Sequence, residues 1–347
     1  MASPKKILDA MPDDLDQNSR ERRLENKLRI AKANERRALD RAEELEATVE
    51  AFAELGAAQT VGSQPMRKRK GAKRHGIAIV HWTDWHVAEV VSKNKTNGLN
   101  KFNPEICQKR VDSLAQSTVK MLRLHRQDIV IDEVLLVLGG DFVTGYLHPE
   151  LEQTNAMGTA EEAQFAIELL TGAINTFFEH GSPKKLRIVC HRGNHGRTTK
   201  KHQYKNDYET SRESLVYWSL RQRITDERIE WIIPESDVYY TTLVRGCDVR
   251  TCHGHQIKYG GGVGGLLVPA NRWVLKQDST RPAILTMLGH FHTRNVMSGI
   301  AVAGSIKGWD EYAMAHGFKY EPPTQSFMLF DVARKQVTAS WPIFCEE

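Results

Sequence analysis

Four short aliphatic runs occur along the chain, and each is followed within a few residues by glycine or polar residues. They span residues 76–80, 134–138, 186–190 and 284–288. An apolar run of this length that ends in turn residues is typical of a buried strand. Amphipathic segments with helical periodicity lie between the runs, at residues 104–126, 160–178 and 211–223. This alternation predicts an α/β fold in which the strands that precede the polar motifs are parallel.

The pattern changes in the second half of the chain, where strand-like segments become more frequent. They span residues 238–244, 248–252, 297–302, 326–332 and 337–341. Two sheets packed against each other with helices outside are a stable arrangement for such a mixture. We therefore expect one two-sheet sandwich with the layer order helix, sheet, sheet, helix.

The N-terminal region has a different pattern. Residues 16–55 contain neither glycine nor proline, and apolar residues recur there in steps of three, four or seven. Members of this heptad stripe are Leu24, Leu28, Ala31, Ala38, Ala42, Leu45, Val49 and Phe52, and Glu35 interrupts it. The pattern predicts a long helix or coiled coil, because such a stripe has to be buried against something. The helix could pack on the rest of the chain, form a homo-oligomer or dock to a partner.

These patterns give three predicted segments. Residues 1–60 form a helical or coiled-coil arm, residues 61–75 a basic linker, and residues 76–347 the α/β domain. The chain has 347 residues, of which 40% are hydrophobic, which is enough for one large core and a smaller appendage.

Several features of the sequence favour a cytoplasmic protein without a membrane segment. The chain lacks an apolar stretch of the ~20 residues needed to cross a bilayer, and residues 1–6 do not resemble a signal peptide. The five cysteines show no paired spacing, which is typical of reduced thiols.

The net charge of +5 is concentrated near the N-terminus. The first 74 residues contain 17 Lys and Arg against 13 Asp and Glu, and residues 67–74 are almost continuously basic. A basic run in a linker is often only solvated, but it can also contact a phosphate backbone through counterion release. Nucleic acid is therefore an expected partner.

Five polar clusters follow the predicted strands in a fixed order. They are Asp84-Trp85-His86, Gly140-Asp141, Gly193-Asn194-His195, His253-Gly254-His255 and Gly289-His290-Phe291-His292. Together they supply carboxylates, imidazoles and an amide oxygen, which is the ligand set of a two-metal hydrolytic centre. The carboxyl ends of parallel strands meet at one edge of a sheet, so we expect these side chains to lie together. Asp141, emerging after two glycines, is the natural bridge between two ions.

The order of these motifs resembles that of the calcineurin-like metallophosphoesterase superfamily over about residues 76–345. The resemblance implies the two-sheet metallophosphoesterase sandwich and a phosphoesterase activity. It implies one metal held by Asp84, His86, Asp141 and His292, and a second held by Asp141, Asn194, His253 and His290. It also implies that His195 is an uncoordinated catalytic histidine that faces the substrate.

This chain departs from the superfamily pattern after His195, where Gly196 replaces an acid that often orients the histidine. Any carboxylate partner of His195 must then come from elsewhere. The basic segment 197–202 suits contact with a phosphate, so we expect Arg197 to bind substrate, together with His148 in a loop that overhangs the site. His255 either lines the pocket or packs in the core, and the glycine-rich segment 260–265 is expected to form a mobile flap.

Two divalent ions would activate a water molecule for in-line attack on a bound phosphorus. Because the ligands include several histidines and no thiolate, Mn²⁺, Fe²⁺ or Zn²⁺ fits better than Mg²⁺, and Mn²⁺ is the preferred choice.

The overall likeness is to the nuclease branch of the superfamily, the exonuclease-like proteins related to SbcD that phages often encode. The expected function is therefore a phosphodiesterase or nuclease acting on DNA or RNA, and the protein could be phage-encoded and active in the host cytoplasm. The sequence leaves open a phosphatase that acts on a protein or a nucleotide, and a scaffold protein with a residual metal site. It also leaves open the polarity of cleavage and the oligomeric state.

Overall fold

The computed structural model describes residues 13–57, 73–258 and 265–346, with the side chains of the first helix described over residues 17–53. Contacts divide the chain into two compact units, Met1–Lys70 and Gly71–Glu347. Most of the predicted basic linker and nearly all of the glycine-rich segment 260–265 lie outside the described residues.

The first unit contains one long helix, α1, which spans Asp13–Ala57. This confirms the long helix that the glycine-free and proline-free sequence predicts. Its large apolar side chains, including Leu24, Leu45 and Phe52, are exposed. Packing of that stripe against a second copy stays a prediction.

The second unit begins with two strands and three helices. They are β1 (Arg74–Trp82), α2 (Pro104–Arg126), β2 (Ile129–Leu138), α3 (Pro149–Thr154) and α4 (Thr159–Gly181). The chain continues through β3 (Lys185–Cys190), α5 (Asp207–Thr210), α6 (Arg212–Arg223), β4 (Ile229–Ile232), β5 (Tyr239–Val244) and β6 (Cys247–Thr251). It ends with α7 (Leu267–Asp278), β7 (Leu285–Leu288), β8 (Asn295–Met297), β9 (Ile300–Val302), α8 (Glu311–Ala315), β10 (Thr324–Asp331) and β11 (Gln336–Phe344).

The strands form two sheets. The first has six strands in the order β11-β10-β1-β2-β3-β4, and the second has five in the order β5-β6-β7-β9-β8. Strands β1, β2, β3 and β4 are parallel to one another, as are β6, β7 and β9. The carboxyl ends of the motif-bearing strands therefore lie at one edge of each sheet.

Alternation along β1 shows how the layers are built. Ile77 and Ile79 pack toward the second sheet, in a cluster that includes Val249 and Met287. Their neighbours Ala78, Val80 and Trp82 face the opposite side, where α2 and α4 cover the first sheet. Because successive side chains of a strand point to opposite faces, one buried strand serves two cores.

The outer face of the second sheet is covered by α7, whose Ala270 and Trp273 pack with Leu288 and Val302. The fold is thus the expected two-sheet α/β sandwich with helices on both outer faces. Among the described residues, no helix is long and apolar enough to cross a membrane. All five cysteines are free and buried.

The structure differs from the sequence pattern in three places. The segment 297–302, expected as one strand, is a hairpin in which β8 and β9 pair antiparallel around Gly299, whose φ is +73°. Strand β4 and helix α7 were not predicted, because β4 is short and α7 follows the glycine-rich segment. The loop after Asp141 contains the short helix α3, which begins at Pro149.

Candidate metal centre

The loops that follow β1, β2, β3, β6 and β7 converge, and backbone hydrogen bonds join them. The Asp84 amide donates to the Gly140 carbonyl at 2.9 Å, and the His86 amide donates to the Asp141 carbonyl at 3.1 Å. The Gly289 amide donates to the His253 carbonyl at 2.7 Å. These bonds fix the loops relative to one another before any side chain is considered.

One group of possible ligands consists of Asp84, His86 and His292. The Nε2 atoms of His86 and His292 are 3.1 Å apart, and His292 Nε2 is 3.3 Å from Asp84 Oδ1. Asp84 is oriented from behind, since its carboxylate accepts hydrogen bonds from the His290 amide and the Thr83 hydroxyl.

A second group consists of Asp141, His253 and His290. His253 Nε2 lies 2.9 Å from Asp141 Oδ2, but the contact lacks hydrogen-bond geometry. Asn194, which precedes His195, is buried, and its Oδ1 has no hydrogen-bond partner. Asp141 is connected to both groups, because its backbone carbonyl binds the His86 amide while its carboxylate contacts His253.

The donor set fits divalent cations. Buried polar atoms without a partner are rare in proteins and call for an unseen ligand, and Asn194 Oδ1 is such an atom. Asp141 Oδ2 and His253 Nε2 contact each other at 2.9 Å. Although burial alone would lower it, the charge of Asp141 raises the pKa of His253 to about 10. The buried carboxylates thus attract positive charge, which bound cations would supply.

Five of the seven proposed ligands have left-handed backbone conformations. The φ angles are 56° at Asp84, 48° at His86, 52° at Asp141, 67° at His290 and 52° at His292. Residues other than glycine seldom adopt this region, and it costs roughly 1–2 kcal/mol for each. Such strain persists where the surrounding structure imposes it, and it concentrates at functional sites.

Glycine at position 193 allows the loops after β2 and β3 to approach each other. A Cβ atom there would overlap the Asp141 carboxylate and its backbone nitrogen. The Gly193 amide also donates to Glu213 Oε2 at 2.6 Å. A side chain at position 193 would therefore displace the Asp141 carboxylate.

His195 lies beside the cluster, with its ring edge-to-face to that of His86 at 4.7 Å between centroids. Its Nδ1 is 2.8 Å from the Thr144 carbonyl, and its amide donates to Asp141 Oδ1 at 2.8 Å. Among the described residues, the ring of His195 is thus oriented by a backbone carbonyl. The sequence had left open whether a carboxylate from another segment does so. Burial lowers the pKa of His195, which favours the neutral ring with Nε2 unprotonated.

Two buried carboxylates that the sequence analysis missed hold these loops. Glu213 accepts hydrogen bonds from the amides of Phe142 and Gly193, and Glu162 accepts from those of Thr144 and Gly145. Burial, and next the charge of Asp141, raise the pKa of Glu213 to about 8. Both acids lie in the first turn of a helix, where an acid is ordinarily a surface residue that interacts with the helix dipole.

The three predicted substrate contacts have different surroundings. The Arg197 guanidinium donates to the carbonyls of Asn194 and Thr199, so it braces its own loop. His148 is exposed, with its ring 6.0 Å from that of His195. His255 is partly buried and lies 5.6 Å from His253 between ring centroids.

No protein-family model and no curated protein sequence matches this chain. Among solved structures, it is similar to a Thermus thermophilus sulfate thiohydrolase, SoxB, with 9% identity, 80% of this chain and 59% of that chain covered, and a TM-score of 0.37. It is also similar to a putative 5'-nucleotidase from Staphylococcus aureus, with 12% identity and a TM-score of 0.36; the match covers 78% of this chain and 55% of the nucleotidase. A Mycoplasma pneumoniae phosphatase matches with 11% identity and a TM-score of 0.28; the match covers 78% of this chain and 93% of the phosphatase. The chain thus spans just over half of the first two proteins, and these scores carry no argument about function.

The left-handed backbone at His292 predicts an unusual order of stability. In metal-free protein, His292→Gly should be more stable than His292→Ala by about 0.5–1 kcal/mol. Alanine keeps the backbone strain that glycine avoids, and the larger conformational entropy of glycine in the unfolded state reduces this advantage. Urea unfolding in the presence of a chelator measures the difference. At the exposed helical position 175 the order should reverse, with Asn175→Ala more stable than Asn175→Gly. If alanine were the more stable residue at both positions, the backbone of residue 292 would not be strained.

The packing of Gly193 predicts loss of the centre on a minimal substitution. Gly193→Ala should greatly reduce bound metal, measured by elemental analysis, because the new methyl group displaces the Asp141 carboxylate. Gly172→Ala is the matched control: nothing lies near that position in α4, so it should keep its metal and gain roughly 0.5–1 kcal/mol of helix stability. Normal metal content in Gly193→Ala would show that the loops can separate without cost to the site.

Proposed function

We propose that this chain is a dinuclear metal-dependent phosphoesterase. The observation that supports the proposal most strongly is the pair of buried His and Asp groups joined through Asp141. Asp84, His86, Asp141 and His292 would hold one ion, and Asp141, Asn194, His253 and His290 the other. A mixed set of imidazole, carboxylate and amide ligands without thiolate accommodates Mn²⁺, our preferred choice, with Fe²⁺ or Zn²⁺ as alternatives.

When bound, a pair of divalent ions supplies Lewis-acid polarisation of a phosphoryl group and activation of water at neutral pH. The chain itself supplies the geometry, through loops fixed by backbone bonds and by Glu213 and Glu162. His195 keeps its Nδ1 proton on the Thr144 carbonyl, which leaves Nε2 available for proton transfer. In the neutral ring Nε2 is unprotonated, so it would first accept a proton from solvent and then pass that proton to the leaving oxygen of a phosphate ester.

Two substitutions separate metal binding from proton transfer. Asp141→Asn should remove both bound metal and activity, because the shared carboxylate loses its charge. His195→Gln should keep the metal and lower kcat by roughly 10²–10⁴-fold, which is the usual contribution of general acid–base catalysis. Elemental analysis and hydrolysis of bis(p-nitrophenyl) phosphate measure the two effects.

His180→Gln is the control for these variants, since His180 is exposed on α4 and outside every ligand group. It should keep both metal and activity. Full metal content in Asp141→Asn would contradict the bridging role, and full activity in His195→Gln would contradict the role in proton transfer.

Within this class, we propose that the substrate is a nucleic-acid phosphodiester. The loop directly after His195 carries exposed Lys200, Lys201 and Lys205, and Tyr204 is 71% exposed among them. Basic side chains that follow a phosphate backbone, together with an aromatic ring on which a base can stack, are what single strands require of a protein. A small phosphomonoester would need neither the length of this loop nor its exposed ring.

The substrate class can be decided by comparing esters. We expect faster hydrolysis of bis(p-nitrophenyl) phosphate than of p-nitrophenyl phosphate with Mn²⁺, and binding of DNA or RNA that weakens steeply with salt. Removing residues 1–74 should weaken that binding and reduce the assembly mass in light scattering, while small-diester hydrolysis persists, because every proposed ligand lies beyond residue 83. Faster monoester hydrolysis without salt-dependent binding would identify a phosphatase instead.

A further inference from the structure

A third group of metal-ligating side chains lies outside the Asp141 centre. It consists of His202, Asp237 and His255, whose ligand atoms all lie within 4.8 Å of one another. These residues come from three separate loops, after β3, after β4 and after β6. No motif in the sequence connects them.

The spacing within this group is that of ligands around a small cation. The Nε2 atoms of His202 and His255 are 3.4 Å apart, and His202 Nε2 is 3.6 Å from Asp237 Oδ2. Nitrogen ligands at tetrahedral zinc are separated by about 3.3 Å, given Zn–N bonds of about 2.0–2.1 Å. A single proton on His202 Nε2 can satisfy only one of these two neighbours, whereas a cation between the three atoms satisfies all of them.

The surroundings hold the ligands in place. Arg192 is buried after β3, and its guanidinium donates to the carbonyls of Pro234 and Glu235 at 2.6 and 3.0 Å. These bonds fix the segment that carries Asp237. Asp207 accepts from Arg192 at 2.8 Å and lies 3.9 Å from His202 Nδ1.

The charges in this region leave a deficit. Two carboxylates, Asp207 and Asp237, face one guanidinium, that of Arg192, and the carboxylate of Asp237 is only 16% exposed. The carboxylates thus outnumber the guanidinium by one. A partly buried unbalanced charge is costly, and a bound cation would remove that cost.

We propose that His202, Asp237 and His255 form a separate binding site for one Zn²⁺ ion, with water as a fourth ligand. Two imidazoles and one carboxylate suit zinc, whereas Mg²⁺ and Ca²⁺ prefer oxygen ligands throughout. The ion joins the basic loop that carries Tyr204 to the loop after β6, which also provides His253. It thereby orders the loop that we assign to nucleic-acid binding.

The test compares zinc content between full-length variants. Protein freed of metal with a chelator is dialysed against Zn²⁺, and bound zinc is measured by elemental analysis. Wild-type protein should bind one zinc per chain more than either His202→Ala or Asp237→Asn, and His180→Gln should equal the wild type. Asp237→Asn preserves side-chain volume, so it guards against a folding defect in the alanine variant.

Limited digestion with trypsin provides a second measurement. Zn²⁺ should slow cleavage after Lys200, Lys201 and Lys205 in the wild type, and much less in His202→Ala. Equal zinc content in all four proteins, or equal protection of the loop, would overturn the third site. Because the readout is a difference of one ion, it does not depend on the number of ions in the Asp141 centre, which Asp141→Asn tests separately.

Discussion

The fully buried carboxylates of Asp84 and Asp141 dominate the energetics of the site. Two negative charges removed from water are expensive unless positive charge and hydrogen bonds surround them. The chain meets part of this need with donors, namely the amides of His290 and His195 and the hydroxyl of Thr83. The rest falls to imidazoles, among which His253, whose pKa Asp141 raises to about 10, can carry a positive charge. In the proposed function, divalent cations would supply the remaining positive charge, so the ligand groups and the buried acids depend on each other.

The rigidity of the fold is what makes this arrangement possible. Parallel strands buried on both faces end at one edge, and their loops are joined by short backbone hydrogen bonds. Left-handed conformations at five proposed ligands show that the loops are held where relaxed backbone would not place those side chains. Gly193 allows two of the loops to approach within contact distance, and Glu213 fixes them from behind. The packing of the sheets thus holds the loop residues in backbone conformations that they would not adopt on their own.

Much of the architecture could be predicted from the sequence, because buried strands and amphipathic helices have distinct periods. The helix at Pro104–Arg126 agrees residue for residue. The β8–β9 hairpin was missed because its turn, Ser298-Gly299, is short and lies between apolar residues. The converging polar clusters were predictable because each follows a strand. Glu213 was not predictable, since a buried acid and a surface acid look alike in a first helical turn. His202 and Asp237 were missed for another reason, namely that only tertiary structure brings them together.

Crystals grown with Mn²⁺, examined by anomalous diffraction at the manganese edge, would test the central claim most directly. The account predicts two adjacent peaks that share the Asp141 carboxylate, one contacting His86 and His292 and the other contacting His253 and His290. A single peak in this cluster, or two peaks of which only one contacts Asp141, would contradict it.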